Sequence, residues 1–334
     1  MPSLFMTPPP RFSKQEVSAL LQSDFNIEGN ISELYSDRDQ VFIISQPNED
    51  LILKISNPAE KRSILELQDA AADHIMRNDP EIRVPRTRGE IIQCERKGIR
   101  FFVRLINHVR GDLFSDRDPK KSDHEKIGNF LGRFSTALNG FFHDAAIRKD
   151  FDWDAGNISH VSERLSLLSS KSDIETVSHF LNNASRFMDQ LKTDLRTCVI
   201  HNDGNEHNIL VNNNKKAIGI IDFGDMIHSY QALEPAVCMA YIAMSSTDPL
   251  ESILAFTRGY HSCFELNESE IRSMVYLMTI RLSITVIMAS WRKKLFPENK
   301  YLTISEKPAW VLLRKLKKSD LAFWEDALVH SMRN

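Results

Sequence analysis

The chain has 334 residues, 42% of them hydrophobic and 26% charged, with a formal net charge of −3. That length allows roughly two domains and a sizeable core, and the near-neutral balance excludes an overall basic field that would draw the chain to nucleic acid or to an anionic membrane. Cys94, Cys198, Cys238 and Cys263 stand far apart with no C-x-x-C pair, which argues against a disulfide framework or a cysteine zinc site and fits a reducing, cytoplasmic setting.

The first ten residues hold four prolines and read as an extended arm, without the charged start and apolar run of a signal peptide. Ser13 and Glu16 have capping-box spacing, and Val17, Leu20 and Leu21 follow at helical spacing, so a short first helix is expected. Strand-like runs at 41–45 and 51–55 flank a turn containing Pro47 and Asn48. A helix is expected over about 59–77, with Ile64, Leu67, Ala71 and Ile75 on one stripe. Two further strand-like runs, 90–95 and 99–105, flank Arg96-Lys97-Gly98. The first third therefore reads as an antiparallel sheet with one inserted helix.

From residue 112 the pattern turns helical. Ser122 and Glu125 form a second capping-box candidate, ahead of Ile127, Phe130, Leu131, Phe134, Leu138 and Phe141 on one stripe. Residues 161–195 are also helical in pattern. A small strand island follows, TCVIH, NILV and AIGIID, and then helix almost to the end. The longest apolar-rich stretch, 236–244, is too short to span a bilayer. The short basic run from Arg314 to Lys318 reads as a solvated helix face. The outline is a smaller strand-rich lobe, 1–106, a connector near 107–111, and a larger helical lobe, 107–334.

The chemistry concentrates in HNDGNEHNILVNNNKKAIGIIDFGD, residues 201–225. His201 to Asp203 lie where one strand ends, Asn208 opens the next, Asn212 to Asn214 form a turn candidate, and Asp222 ends the returning strand. A hairpin would bring Asp203, Asn208 and Asp222 to one end of the same small sheet. Phosphoryl transfer needs such a grouping, because it depends mostly on positioning and charge neutralisation. Asp203 suits the carboxylate that orients an acceptor hydroxyl and takes its proton. Asn208 and Asp222 offer the hard oxygens that hold magnesium against the phosphates. His201, His207 and His228 lack the one-turn helical pairing of a zinc site.

The pattern H-x-D-x-x-x-x-N (His201, Asp203, Asn208) followed by I-D-F-G-D (221–225) resembles the aminoglycoside phosphotransferase and choline kinase group, small-molecule relatives of the protein kinases. The group usually has Gly where this chain has Asn202. The resemblance implies a protein-kinase-like α+β fold with a small antiparallel-sheet N-terminal nucleotide-binding lobe and a larger helical C-terminal catalytic and substrate lobe. It implies that Lys54, in LILKI, grips the α- and β-phosphates, and that a glutamate on the next helix pairs with it. Glu66 matches by spacing and Glu60 competes. It implies a phosphate-covering loop at LYSDRDQ, here without glycine, with Ser36, Asp37 and Arg38 as its polar residues. A hinge over 104–111, at Ile106, would meet the purine edge. His201 would brace the catalytic loop.

Within the group, the stretches 56–68 and 220–244 resemble the members that phosphorylate 5-hydroxylysine. The resemblance thus implies magnesium and ATP or GTP, with a hydroxylated amino acid or amino alcohol as acceptor. Homoserine, choline and aminoglycoside kinases share the same blocks. An amino-bearing acceptor calls for acidic or aromatic partners, for which Asp225, Trp153, Asp154 and Asp152 are candidates. A reading of another class is a non-catalytic nucleotide-binding pseudokinase, against which Lys54, Asp203, Asn208 and Asp222 are all present. The expected partners are a nucleotide and a small hydroxyl-bearing molecule, with no nucleic acid and no membrane, on a monomer or homodimer.

Overall fold

Alternating apolar residues put the first third of the chain into a sheet. The computed structural model describes residues 4–116, 121–191, 193–214, 216–299 and 303–333. Helix α1 (Lys14–Phe25) opens on the expected capping box, with the Ser13 amide donating to Glu16 Oε2 at 2.7 Å and the Glu16 amide to Ser13 Oγ at 3.2 Å. There follow β1 (Asn30–Leu34), β2 (Gln40–Ser45), β3 (Asp50–Ile55), α2 (Arg62–Asn78), β4 (Ile92–Arg96) and β5 (Ile99–Asn107). The strands form one antiparallel sheet in the order β1-β2-β3-β5-β4. The sequence pattern did not announce β1, because NISEL leaves four of its five side chains exposed at the sheet edge and so carries no alternation. Between β4 and β5, Lys97 (φ 53°) and Gly98 (φ 75°) make the two-residue, positive-φ connection that suits the twist of a hairpin.

One face of this sheet buries Phe42, Ile44, Leu51, Leu53, Ile55, Val103 and Leu105 with Phe12, Val17 and Leu21. Side chains alternate along a strand, so Lys54 stands on the opposite face, directly across from Arg104. Residues 1–73 and 84–110 form one compact unit; residues 74–83 and 111–334 form a second. The hinge segment expected from residue 104 is thus still strand through Asn107.

The second unit contains β6 (Asp112–Leu113), α3 (Lys121–Leu138), α4 (Ile158–Glu163), α5 (Lys171–Leu191), β7 (Thr197–Ile200), β8 (Ile209–Val211), β9 (Ala217–Ile220), β10 (Ile227–Tyr230), α6 (Leu233–Ser245), α7 (Pro249–Cys263), α8 (Glu268–Leu295), α9 (Glu306–Leu316) and α10 (Leu321–Arg333). Helix α3 begins at Lys121, so Ser122 falls inside its first turn; its side chain, and with it the second capping box, lies outside the described residues. The helical stretch expected over 161–195 is broken. A 3-10 turn, Arg164–Leu167, ends in extended Leu168, and Ser170 Oγ accepts from the Asp173 amide at 3.4 Å to start α5 afresh.

The strand island is not one sheet. β7 pairs antiparallel with β10, while β8 and β9 form a hairpin that β6 joins. Asp203 and Asp222 therefore leave different sheets. Helices α3 and α7 cross at glycines: a Cβ on Gly128 would lie 1.9 Å from the Phe256 carbonyl oxygen, and one on Gly259 1.9 Å from that of Glu125. Helix α8 is long and apolar enough to cross a membrane, but its apolar window is 94% buried inside the protein, as in a core helix.

Candidate active site

Strand β7 ends at Ile200 and the chain turns sharply into residues 201–208. The turn needs a left-handed residue, and Asn202 takes it with φ 65°. Among residues with a side chain, asparagine is one that visits this region at low cost, which explains how Asn serves where the resembled family has Gly. Its Nδ2 donates to the carbonyls of Trp153 and Asp225, both at 3.3 Å.

His201 is fully buried. Its ring accepts the Asp203 amide at Nδ1 (3.2 Å) and donates from Nε2 to the Ile221 carbonyl (3.1 Å), which fixes the neutral tautomer and ties the loop to the chain before Asp222. Burial pushes its pKa down to about 4. Glu234, at the start of α6, accepts the amides of His201 (2.5 Å) and Asn202 (3.3 Å) and so caps the loop from below. Burial pushes the Glu234 carboxyl up to about 7, against those two donors.

The Asp203 carboxylate is held on both oxygens. Oδ1 accepts from Arg281 Nη2 at 2.6 Å and from Asn205 Nδ2 at 2.9 Å; Oδ2 accepts from Asn208 Nδ2 at 2.7 Å. Asn208 Nδ2 also reaches the Asp203 carbonyl at 2.9 Å. Both of these bonds use Nδ2, so Oδ1 of Asn208 is the oxygen available to a cation. Asp222 follows β9 with φ 63°, a second left-handed residue at the same place. Asparagine and aspartate are the side chains that tolerate such a turn best. The Ile221 amide donates to the Asn208 carbonyl at 2.9 Å, so Asn208 and Asp222 are held one residue apart across the hairpin.

Among the described residues no three His, Cys, Asp or Glu side chains cluster as a metal set. Magnesium bound mainly through phosphates and water needs only one or two protein oxygens, and Asn208 with Asp222 fits that donor set.

In the first unit, Lys54 Nζ meets Asp39 Oδ2 at 3.0 Å. Asp39 Oδ1 also accepts the Asn57 amide at 2.8 Å. The expected Lys54–Glu66 pair is not formed. Glu66 lies on the exposed side of α2 and bonds Arg62 at 2.9 Å. The α2 residues that face the sheet here are Gln68 and Asp69, and they take Arg104, at 2.7 Å and 3.2 Å. Glu60 precedes α2, its Oε1 accepting the Lys61 amide. The loop after β1 keeps its polar groups close: Ser36 Oγ accepts the Asp39 amide at 3.3 Å, Asp37 lies 3.6 Å from Arg38, and Arg38 sits over the Phe5 ring. Ile106 lies buried in β5, opposite Ile52.

The acidic residues proposed for an amino group are engaged within the fold. Asp152 Oδ1 binds His160 Nε2 at 3.0 Å and Arg164 Nε at 2.9 Å. Asp154 Oδ1 accepts from Ser229 Oγ and the Gly156 amide, both at 2.9 Å, and burial raises its pKa. Asp225 is buried in a 3-10 turn whose Gly224 and Met226 carbonyls accept from Arg148. The half-buried Trp153 ring has the Arg281 guanidinium 4.4 Å from its centroid.

Sequence reasoning missed Asp39, Glu234 and Arg281. Two of them left a signal: Glu234 is the lone charge of α6 and Arg281 the lone charge of the apolar stretch 273–291 within α8, and a charge is buried in such a place only with a partner.

The model of a family described as phosphotransferase enzyme family matches residues 30–270. The chain is similar to proteins named hydroxylysine kinase from Mus musculus, 28% identical over 92% of this chain and 90% of the relative, and from Xenopus laevis, 25% identical over the same shares. Among solved structures it resembles a microcompartment-associated aminopropanol kinase at 15% identity and TM-score 0.68, covering 94% of this chain and 98% of the other. It also resembles an amicoumacin kinase in complex with AMP-PNP, Ca2+ and Ami, at 13% identity and TM-score 0.65, over 94% of this chain and 96% of the other. The two structures share the two-lobed α+β fold.

Proposed function

This chain belongs to the phosphotransferase enzyme family, and from that premise we propose that it transfers the terminal phosphate of ATP or GTP to the hydroxyl of a hydroxylated amino acid or amino alcohol, 5-hydroxylysine foremost. The observation that carries this reading is the Asp203 carboxylate, fixed at both oxygens on a loop tied down by His201 and Glu234. The hydroxylysine kinases, matched over about nine-tenths of both chains, support the choice of acceptor.

Asp203 accepts a hydrogen bond from the acceptor hydroxyl and aims its oxygen at the γ-phosphorus. As the new O–P bond forms, the bond to the β-phosphate oxygen breaks, the nucleoside diphosphate leaves, and the hydroxyl proton passes to Asp203. Positioning of this kind is the main catalytic device in phosphoryl transfer. Asn208 and Asp222 would hold magnesium, which when bound supplies charge neutralisation on the phosphates. Lys54 exchanges Asp39 for phosphate oxygens.

The test is turnover of a panel of hydroxylated amino acids, amino alcohols, homoserine, choline and aminoglycosides with each nucleotide, for wild type and Asp203→Ala. Phosphorylation of 5-hydroxylysine with a kcat/KM above the other acceptors, lost in the variant, is the expected result. Equal, negligible rates for both proteins across the panel would sink the kinase reading in favour of a nucleotide-binding module.

A further inference from the structure

Arg281 lies in the middle of α8, with its side chain only 2% exposed. A buried guanidinium costs several kcal/mol unless its charge is paired and its donors are used. Here the pair is Asp203. Nη2 donates to Asp203 Oδ1 at 2.6 Å and to the Tyr241 hydroxyl at 3.2 Å, and Nη1 donates to the Asn202 carbonyl at 3.3 Å. The guanidinium carbon stands 4.4 Å from the Trp153 ring centroid and 5.6 Å from that of Tyr241. A flat cation flanked by two aromatic rings has little rotational freedom, and its fork reaches both the backbone and the side chain of the catalytic turn.

We propose that Arg281 is a positioning residue for Asp203: slotted between Trp153 and Tyr241, it fixes the carboxylate through Oδ1, so that Oδ2 meets the acceptor hydroxyl. The inference rests on the proposed reading of Asp203. It also changes the role of Trp153. A ring already carrying a cation on one face attracts a second cation poorly, so Trp153 serves as a wall of the arginine slot and not as the platform for a substrate ammonium.

Lysine at this position keeps the charge but loses the planar fork. A carboxylate displaced by about 1 Å can cost on the order of 10²-fold in rate. Arg281→Met is expected to lower kcat by that order with the KM of both substrates within about twofold of wild type, and Arg281→Lys to recover part of the loss. In an Asp203→Asn background, Arg281→Met should cost nothing further, because it acts through the residue already removed.

A raised acceptor KM at unchanged kcat would make Arg281 a substrate contact and overturn the proposal. So would a full further loss of rate in the Asp203→Asn background, which marks general structural damage. If Arg281→Met does not fold, the same cycle is read with Arg281→Lys, and wild-type kcat in that variant overturns the proposal. Absence of transfer to any acceptor by the wild type is a separate result: it removes the parent reading of Asp203, and this inference with it.

Discussion

The catalytic turn of the second unit and the Lys54 face of the first are held by groups of different burial. Residues 201–208 are fixed within the loop by Asn205 and Asn208 on Asp203, and by buried groups from other elements: Glu234 grips two amides from α6, Arg281 grips Asp203 from α8, and His201 reaches to Ile221. Residues 36–39 are held by partly exposed contacts: Ser36 to Asp39 and Asp37 to Arg38 within the loop, Phe5 and Asn57 Nδ2 on Arg38, and Lys54 and the Asn57 amide on Asp39. A turn clamped by buried charges keeps its geometry before any substrate arrives, which is what an acceptor-orienting carboxylate requires. On the proposed reading, the contact of Lys54 with Asp39 is one that phosphate oxygens would replace.

The sharpest break of this comparison is at Asp203. Asp203→Asn keeps the side chain's size but removes the proton acceptor and the charge that pairs Arg281, and kcat should fall roughly 10²- to 10⁴-fold, measured by steady-state kinetics with the acceptor that the panel selects. Nucleotide affinity, measured by calorimetry, should hardly change. A variant with near-wild-type kcat would show that positioning without proton acceptance suffices.

Next comes Glu234. Its folded pKa of about 7 lies above the ordinary value of 4.5, because burial penalises the charge. Below pH 4.5 the group is protonated in both states and its contribution is fully present. As pH rises the unfolded chain ionises first, so stability is lost up to about pH 7, by on the order of 2 kcal/mol. Glu234→Gln should remove most of that fall in urea titrations at pH 5 and 7.5. In both proteins Glu206, also raised to about 7 by burial, adds a similar fall, and His201, lowered to about 4, adds an opposing rise between about pH 4 and 6.5. An unchanged slope in the variant would show that Glu234 is not the group that titrates.

The first unit should respond more mildly and in a different parameter. Lys54→Met is expected to weaken nucleotide binding about tenfold, the value of one charge-assisted contact, with the acceptor KM unchanged. Asp39→Asn retains the acceptor for the Asn57 amide and should shift nucleotide affinity less than Lys54→Met. If Asp39→Asn proved the more damaging, Asp39 would be holding Lys54 in place and not merely resting against it.

How far the sequence could be read follows the same division. His201, Asp203, Asn208 and Asp222 lie within 22 residues, so one motif exposed them, and the capping box at Ser13 and the two inner hairpins were legible because their signals are local. Glu234 and Arg281 act across 33 and 78 residues. Such partners follow from helix packing, which one sequence does not reveal. The pairing of β7 with β10 was hidden for the same reason, since AIGII and NILV make the nearer and more obvious hairpin. β1 was hidden by lack of alternation, and the Asp39 contact of Lys54 by a family expectation that looked only forward along the chain.

The smallest expected effect is at Glu66, where spacing and geometry disagree. It forms an i,i+4 pair with Arg62 on the exposed side of α2, each side chain about half open to solvent, and pairs of that kind are worth about 0.5 kcal/mol or less. Glu66→Ala should therefore leave the urea midpoint nearly unchanged and the nucleotide KM at the wild-type value. A loss comparable with that of Lys54→Met would mean that α2 turns on nucleotide binding to bring Glu66 against the lysine. It would then have to give up Arg62 and displace Gln68 and Asp69 from Arg104, two contacts of 2.7 Å and 3.2 Å on a nearly fully buried guanidinium. Breaking them strands that charge, so the pair with Arg62 is the arrangement the helix keeps.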